Sequence, residues 1–335
     1  MTKENFSRRK FIKLASGLII SLSTLTFAGC NENSAENSDS KIANAANTDS
    51  NEVENMSKVY FSNEITAQKL IELYNKVNDG ITGKVAIKLH SGEPHGPNLL
   101  PINLIRELQS TIKDSTIVEC NVAYGGPRRN TESHLQTLKT NGFDFCPVDI
   151  MDADGDIDLK IPQKNFETRL SSVPVGSHIA NYDSMLVYTH FKGHMMGGFG
   201  GSIKNIAIGC ASSHGKLVVH GSGWPTGKPF LERMVEAGYA VADNFKNHIT
   251  YINVLKNLSV DCDCDSNGAK PTMNDIGILA STDLLAIDQA SIDLVYAAAD
   301  SKDLIKRIES KEGLHQLDYG EKLGIGNRKY NLMQI

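Results

Sequence analysis

The chain has 335 residues, of which 40% are hydrophobic and 22% charged. That balance excludes a wholly disordered or fibrous protein and supplies enough apolar mass for one large core or two modest ones. The formal net charge of -5 combines a basic start, an acidic stretch after it and a mildly acidic body, which gives no sign of the broad basic surface that a nucleic-acid partner needs.

Residues 1–30 read as an export signal. Ser7-Arg8-Arg9-Lys10-Phe11-Ile12-Lys13 follows the twin-arginine pattern, and Leu14 to Phe27 is apolar but short for a membrane span. Phe27-Ala28-Gly29-Cys30 resembles a lipobox, so Cys30 is expected to be lipidated. Residues 31–55 are rich in Asn, Ser, Ala and Glu without apolar periodicity, the composition of a disordered tether. The expectation is export by the twin-arginine route and attachment through Cys30 at the outer face of the cytoplasmic membrane or in the periplasm. Residues 56–335 form the folded part.

There the pattern alternates. Helical spacing predicts helices over Ile65 to Val77, Leu99 to Ile112, Thr131 to Thr140, Ser202 to Cys210, Pro229 to Asn247, Leu284 to Ala299 and Lys302 to Ser310. Apolar runs predict strands at Lys84 to Leu89, Thr116 to Cys120, Met185 to Thr189, Lys216 to Val219, Tyr251 to Leu255 and Ile276 to Ala280. Such alternation argues an α/β fold, a mostly parallel sheet with flanking helices in one or two lobes, with ligands at the carboxyl ends of strands.

Chemistry-bearing residues follow several of these strands. Lys88-Leu89-His90-Ser91-Gly92-Glu93 brings an amine, an imidazole and a carboxylate to a strand end, suited to acid–base work, metal ligation or simply a solvated loop. Arg128 and Arg129, after Gly125-Gly126, suit either an anion contact or a solvated turn. The acids from Asp152 to Asp158 lack the glycine and distal glutamate of a calcium loop and read as an acidic turn.

The densest stretch runs from Thr189 to Lys216. His190 and His194, with Lys192 between them, can meet one ligand or metal whether the segment is a strand or a helical turn. Gly197, Gly198, Gly200 and Gly201 then permit a close backbone approach, and Lys204 falls in the first turn of the next helix, where free N–H groups attract anions. It is not a Walker loop, because Gly-Lys-Ser/Thr is missing. Cys262 and Cys264, one residue apart in DCDCD, suit a disulfide, a pair of ligands to one metal or a turn. Cys120, Cys146 and Cys210 sit in apolar settings and read as core.

KLHSGE (88–93), NYDSMLVYTHFKGH (181–194), GGFGGSIKNIAIGC (197–210), DCDCD (261–265) and DIGILASTDLLAIDQASIDLV (275–295) together resemble the domain of unknown function 362 family. The resemblance covers nearly all of residues 56–335. It implies that Lys88, His90, Glu93, His190, Lys192, His194, Lys204, Asn205, Lys216, Cys262, Cys264, Asp275, Asp283 and Asp288 are the family's habitual residues. Some longer relatives carry an inserted ferredoxin-type cysteine cluster, which implies redox chemistry. The insert is missing here and no four-cysteine spacing survives, so a metal ion suits the residues better than an iron–sulfur cluster.

The resulting expectation is a metal- or cofactor-dependent enzyme, oxidoreductase-like, acting on a small anionic substrate and drawing on an unnamed redox partner. His90, Glu93, Lys192 and His194 are the expected catalytic groups. Lys88, the four glycines, Lys204, Asn205 and Lys216 are the expected ligand-binding groups, and His190, His194, Cys262 and Cys264 the expected metal ligands. The alternative is a lipid-tethered protein that binds a small anion without turnover.

Overall fold

Two apolar runs, Ser184–His190 and Ile249–Leu255, are buried at all seven of their residues, as strands covered on both faces require. They lie side by side at the middle of the sheet in a computed structural model that describes residues 56–335. The expected signal, tether and Cys30 lie outside the described residues. Residues Ser57–Ile335 form one unit.

In chain order the elements are β1 (Ser57–Ser62), α1 (Ala67–Tyr74), β2 (Val85–Lys88), α2 (Ile102–Ser110), β3 (Ser115–Glu119), α3 (Thr131–Thr140) and β4 (Val148–Ile150). A hairpin of β5 (Asp156–Lys160) and β6 (Ser172–Gly176) precedes the central strand β7 (Ser184–His190). A second, small hairpin follows, β8 (Lys192–His194) and β9 (Gly198–Gly200), then helices α4 (Ser202–Cys210), α5 (Ser213–His220) and α6 (Lys228–Phe245). The chain closes with β10 (Ile249–Leu255), β11 (Gly277–Ser281), α7 (Leu284–Ala297), α8 (Lys302–Ser310), α9 (His315–Leu323) and β12 (Tyr330–Gln334).

The eight-stranded sheet has the order β12-β1-β11-β10-β7-β2-β3-β4. From β4 to β10 all neighbours are parallel, β11 is antiparallel to both of its neighbours, and β12 is parallel to β1. Alternate residues of β7 feed opposite cores: Met185 and Val187 join Phe230, Leu231 and Met234 of α6, while Leu186 and Tyr188 join Leu70, Leu104 and Leu108 of α1 and α2. From β2 the chain moves outward to β3 and β4, and from β7 it moves the other way to β10. The boundary between β2 and β7 is therefore the switch point at which open α/β sheets form a crevice outside the strand ends.

The run Lys216 to Val219, expected as a strand, is helical in α5. Ser212 Oγ accepts from Gly215 N at 2.9 Å and caps that helix, a signal that a four-residue apolar run hides. Asp283 caps α7, accepting from Leu285 and Ala286 N at 2.9 Å.

The start of α4 is held from a distance. Asp288 of α7 accepts from Ser202 N at 2.8 Å, Ile203 N at 2.9 Å and Asn253 Nδ2 at 2.9 Å. Only glycine fits at position 201, because a Cβ there would stand 2.4 Å from Asp288 Oδ1. Burial lifts the Asp288 carboxyl to about 6, against the pull of the three donors. Its folded pKa is above the usual value near ~3.9, so the native state binds the extra proton and stability falls as pH rises from about 4 to about 6. Asp288→Asn should flatten that part of the pH profile and lower stability at neutral pH by about 1–3 kcal/mol, since an NH2 group would face Ile203 N–H; urea unfolding midpoints of the two proteins between pH 4 and 7 check both effects.

Candidate functional site

A cavity of about 230 Å³ opens at the carboxyl ends of β2, β3 and β7, over the switch point. Lys88 and His90 enter it from the end of β2, Glu119 from β3, Thr189 and His190 from β7, Lys192 and His194 from β8, and Gly200 and Gly201 from the turn into α4. Helices α4 and α5 supply Lys204, Asn205 and Lys216, and the connection from β10 to β11 supplies Cys262 and Cys264. Residues that are 176 positions apart in sequence thus face one space.

Three donors within it meet. Ligand atoms of His194, Cys262 and Cys264 lie within 4.8 Å of one another, the only such metal-competent group among the described residues. Cys264 donates its proton toward Cys262, and this bond, opposed by burial and then aided by Lys204, His90 and Lys192, holds the Cys262 thiol well below the usual range. The pair therefore shares one thiolate and one proton, with Cys264 pushed upward by the same bond. Burial, then Lys204, keeps His194 neutral by pushing it well down. Gly197 N donates to His194 Nδ1 at 2.9 Å, which leaves the ring proton on Nε2. A metal ion would release the Cys264 proton, and His194 would bind it either at Nδ1 in place of Gly197 N or at Nε2 with loss of the ring proton there. Two sulfurs and an imidazole fit a soft or borderline ion rather than magnesium or calcium, and three ligands leave a position open for substrate.

Behind the donors stand buried ion pairs. Lys192 Nζ lies 2.7 Å from Asp263 Oδ2, and His190 Nδ1 lies 2.8 Å from the same oxygen. Burial opposes the charge on Asp263, but His190 and Lys192 hold its carboxyl far below the usual range; Asp263 in turn keeps the Lys192 ammonium above its own. On the other wall Glu119 accepts from Ser91 N at 2.6 Å and lies 3.5 Å from Lys88 Nζ and 3.9 Å from His90 Nδ1. Lys88, ahead of His90, keeps that carboxylate ionised despite its burial. Burial pushes His90 below its usual value, and its Nε2 is 3.9 Å from Cys262 Sγ. His90 is thus a neutral base set between a carboxylate and a thiolate. Asn205 fixes the floor, donating to Tyr188 O at 3.1 Å and Thr189 Oγ1 at 3.0 Å and accepting from Lys88 Nζ at 3.2 Å.

Four expectations change. His190 is no ligand, because its Nδ1 faces Asp263 and its Nε2 faces Lys256 O at 2.8 Å, leaving no nitrogen for an ion. Glu93 is not a free acid–base group: Oε1 takes Arg128 Nη2 at 2.7 Å, Arg128 Nε at 2.9 Å and Tyr124 OH at 2.9 Å, and it does not line the cavity. Lys192 lines the cavity but is locked as an ammonium on Asp263 and His190 O, so it acts through its charge and not as a base. Gly197 and Gly198 pack under α8 and α9, where Gln316 Nε2 holds Gly197 O at 2.7 Å, and only Gly200 and Gly201 reach the cavity. The anion awaited at the α4 N-terminus is the protein's own Asp288.

Sequence reasoning missed Glu119 and Asp263 and did not choose Arg128. Each is a charge beside an apolar run or among other charges, and only tertiary pairing separates such a group from a solvated one. Cys120 and Cys210 are buried, as read, and Cys120 also reaches the cavity wall; Cys146 is partly exposed. Asp275 pairs with Lys256 away from the cavity.

Asp263 sits between the two cysteines and points the other way, tying the loop to β7 and β8. Asp263→Asn should therefore weaken metal binding about 10–100-fold, the usual cost of losing a group that orients ligands, while Cys262 and Cys264 both still react with a thiol reagent. Competition with a chromogenic chelator measures the affinity, and an unchanged value contradicts the positioning role.

No curated protein matches the chain in sequence. Among the solved structures that resemble it weakly are the lactate racemase apoprotein of Thermoanaerobacterium thermosaccharolyticum (14% identity, TM-score 0.43, covering 73% of this chain and 58% of that one) and a protein from Thermotoga maritima (13% identity, TM-score 0.40, covering 72% and 60%). The chain thus spans less than two thirds of the length of either. The model of one family, the domain of unknown function DUF362, matches residues 85–293. That span runs from β2 through most of α7 and contains every cavity residue named above, and the chain belongs to this family.

Proposed function

We propose that the cavity is the active site of a metal-dependent enzyme acting on a small anionic substrate. The observation that carries this reading is the meeting of His194, Cys262 and Cys264 inside a cavity lined by five Lys/Arg side chains and one carboxylate, Glu119. When bound, the metal would supply Lewis-acid or redox chemistry at its open position. His90, kept neutral by burial and with Nδ1 3.9 Å from Glu119, would take a proton from the substrate. Lys88 and Lys192, tied to Glu119 and Asp263, would shape the cavity floor, and the remaining positive potential would come from the lysines without a carboxylate partner. A redox partner belongs to the oxidoreductase form of this reading. A protein that binds the anion without turnover is the second reading, favoured by the number of cavity cations alone.

Export and anchoring belong to the same proposal and rest on the twin-arginine and lipobox patterns of residues 7–13 and 27–30. Cys30→Ala should move the protein from the membrane to the soluble fraction of the cell envelope; retention in the membrane fraction contradicts lipidation.

Elemental analysis of protein isolated from its native host should find about one transition-metal ion per chain. Cys262→Ser and His194→Ala should each lower metal affinity at least tenfold. Protein that carries no metal, takes none up and performs identically after both substitutions contradicts the metal reading.

A further inference from the structure

Five cations line the cavity, and three already have buried carboxylates: Lys88 has Glu119, Lys192 has Asp263 and Arg128 has Glu93. Lys204 and Lys216 have no carboxylate partner among the described residues. Lys216 is only 6% exposed, and its Nζ donates to Ala211 O at 2.6 Å and lies 3.5 Å from Cys120 O. Burial holds its ammonium below the usual lysine range, against the weaker pull of Cys120, Asp152 and Glu119. Both lysines act on His220, a cavity residue 8% exposed whose buried Nδ1 has no hydrogen-bond partner. Buried polar groups and unpaired charges in a folded protein are costly unless something supplies their partner.

What supplies it is constrained by the neighbouring helices. The first N–H groups of α4 are taken by Asp288, and those of α5 by Asp152, which accepts from Ser213 N at 2.9 Å, and by Ser212. Two N–H groups in the first turn of each helix are thus already used, so among the described residues neither helix start offers the run of free backbone donors that phosphate groups use. The surrounding wall is apolar, with Ile208, Phe230 and Trp224, and His220 is stacked between Trp224 (centroids 4.1 Å apart) and Phe230 (4.9 Å).

We infer that this arm of the cavity is a carboxylate subsite, so that the ligand is a small monocarboxylate with an apolar or aromatic body. The carboxylate pairs with Lys204 and Lys216, and one of its oxygens gives His220 Nδ1–H the acceptor it lacks. The body lies along Ile208 and the exposed face of Trp224. The subsite rests on the reading of the cavity as a substrate site, but it does not require the metal.

Trp224 is the one tryptophan in the chain, so its fluorescence reports directly on this wall. The full chain is titrated with phenylacetate, phenylacetamide and inorganic phosphate, once metal-free after chelation and once metal-loaded. Phenylacetate should change the Trp224 signal in both forms, phenylacetamide should bind at least tenfold more weakly, and phosphate should not displace phenylacetate. Lys204→Gln should weaken phenylacetate at least tenfold, and Lys204→Arg should restore it to within threefold of the unsubstituted protein. Equal binding of acid and amide, displacement by phosphate, an unchanged Lys204→Gln variant or binding only to the metal-loaded form overturns the subsite. Because metal content is measured on the same samples, phenylacetate binding to a protein that never takes up metal would sink the metal reading and keep the subsite.

Discussion

One carboxylate, Asp263, fixes the geometry on which the site depends. It lies between two cysteines at the middle of a tight turn, which Asp265 N closes by donating to Cys262 O at 2.9 Å. Asp263 turns inward to His190 and Lys192, and Cys262 and Cys264 turn to the cavity. The tie is strong because both partners donate to a buried carboxylate, and removing one member of such a buried set costs about 3–5 kcal/mol. The C-x-C spacing gives two sulfurs close together, and Asp263 decides which way they face.

The same economy runs through the cavity. A sheet that is covered on both faces can bury several charges only where each finds a counter-charge, and the carboxyl ends of β2, β3 and β7 are where these charges collect. Glu119 answers Lys88, Glu93 answers Arg128 and Asp263 answers Lys192, while Asp288 answers the N-terminus of α4. Each pair removes one residue from the list of groups free to react. What is left facing the space is a neutral histidine, His90, a histidine with two thiols, and two lysines, Lys204 and Lys216, without a carboxylate of their own. The reactive residues are those that the framework has not already neutralised.

Much of the architecture was legible in the sequence because it is written in local patterns. Thr131–Thr140, Ser202–Cys210 and Lys302–Ser310 fall at the residues that helical spacing predicts, and β7 and β10 are recognisable as continuous apolar runs. Part of the site was legible for a different reason: His90, His194, Cys262 and Cys264 are residue types whose placement after buried strands suggests chemistry. Their partners were not. Asp288 and the helix end it caps are separated by 86 residues, and His190 and Asp263 by 73. No local pattern distinguishes a histidine that ligates from one whose two nitrogens are consumed by a distant carboxylate and a backbone carbonyl. The glycine-rich turn was misleading for the same reason, since its helix N-terminus attracts an anion as physics requires, and the chain supplies that anion itself.

The central claim is that His194, Cys262 and Cys264 together hold one metal ion. X-ray absorption spectroscopy of the metal-loaded full chain tests it most directly, because it reports the atoms bound to the ion. With zinc, a first shell of two sulfurs near ~2.3 Å and one imidazole nitrogen near ~2.0 Å, with room for one light ligand, is the predicted result. A shell of nitrogen and oxygen alone would contradict the account.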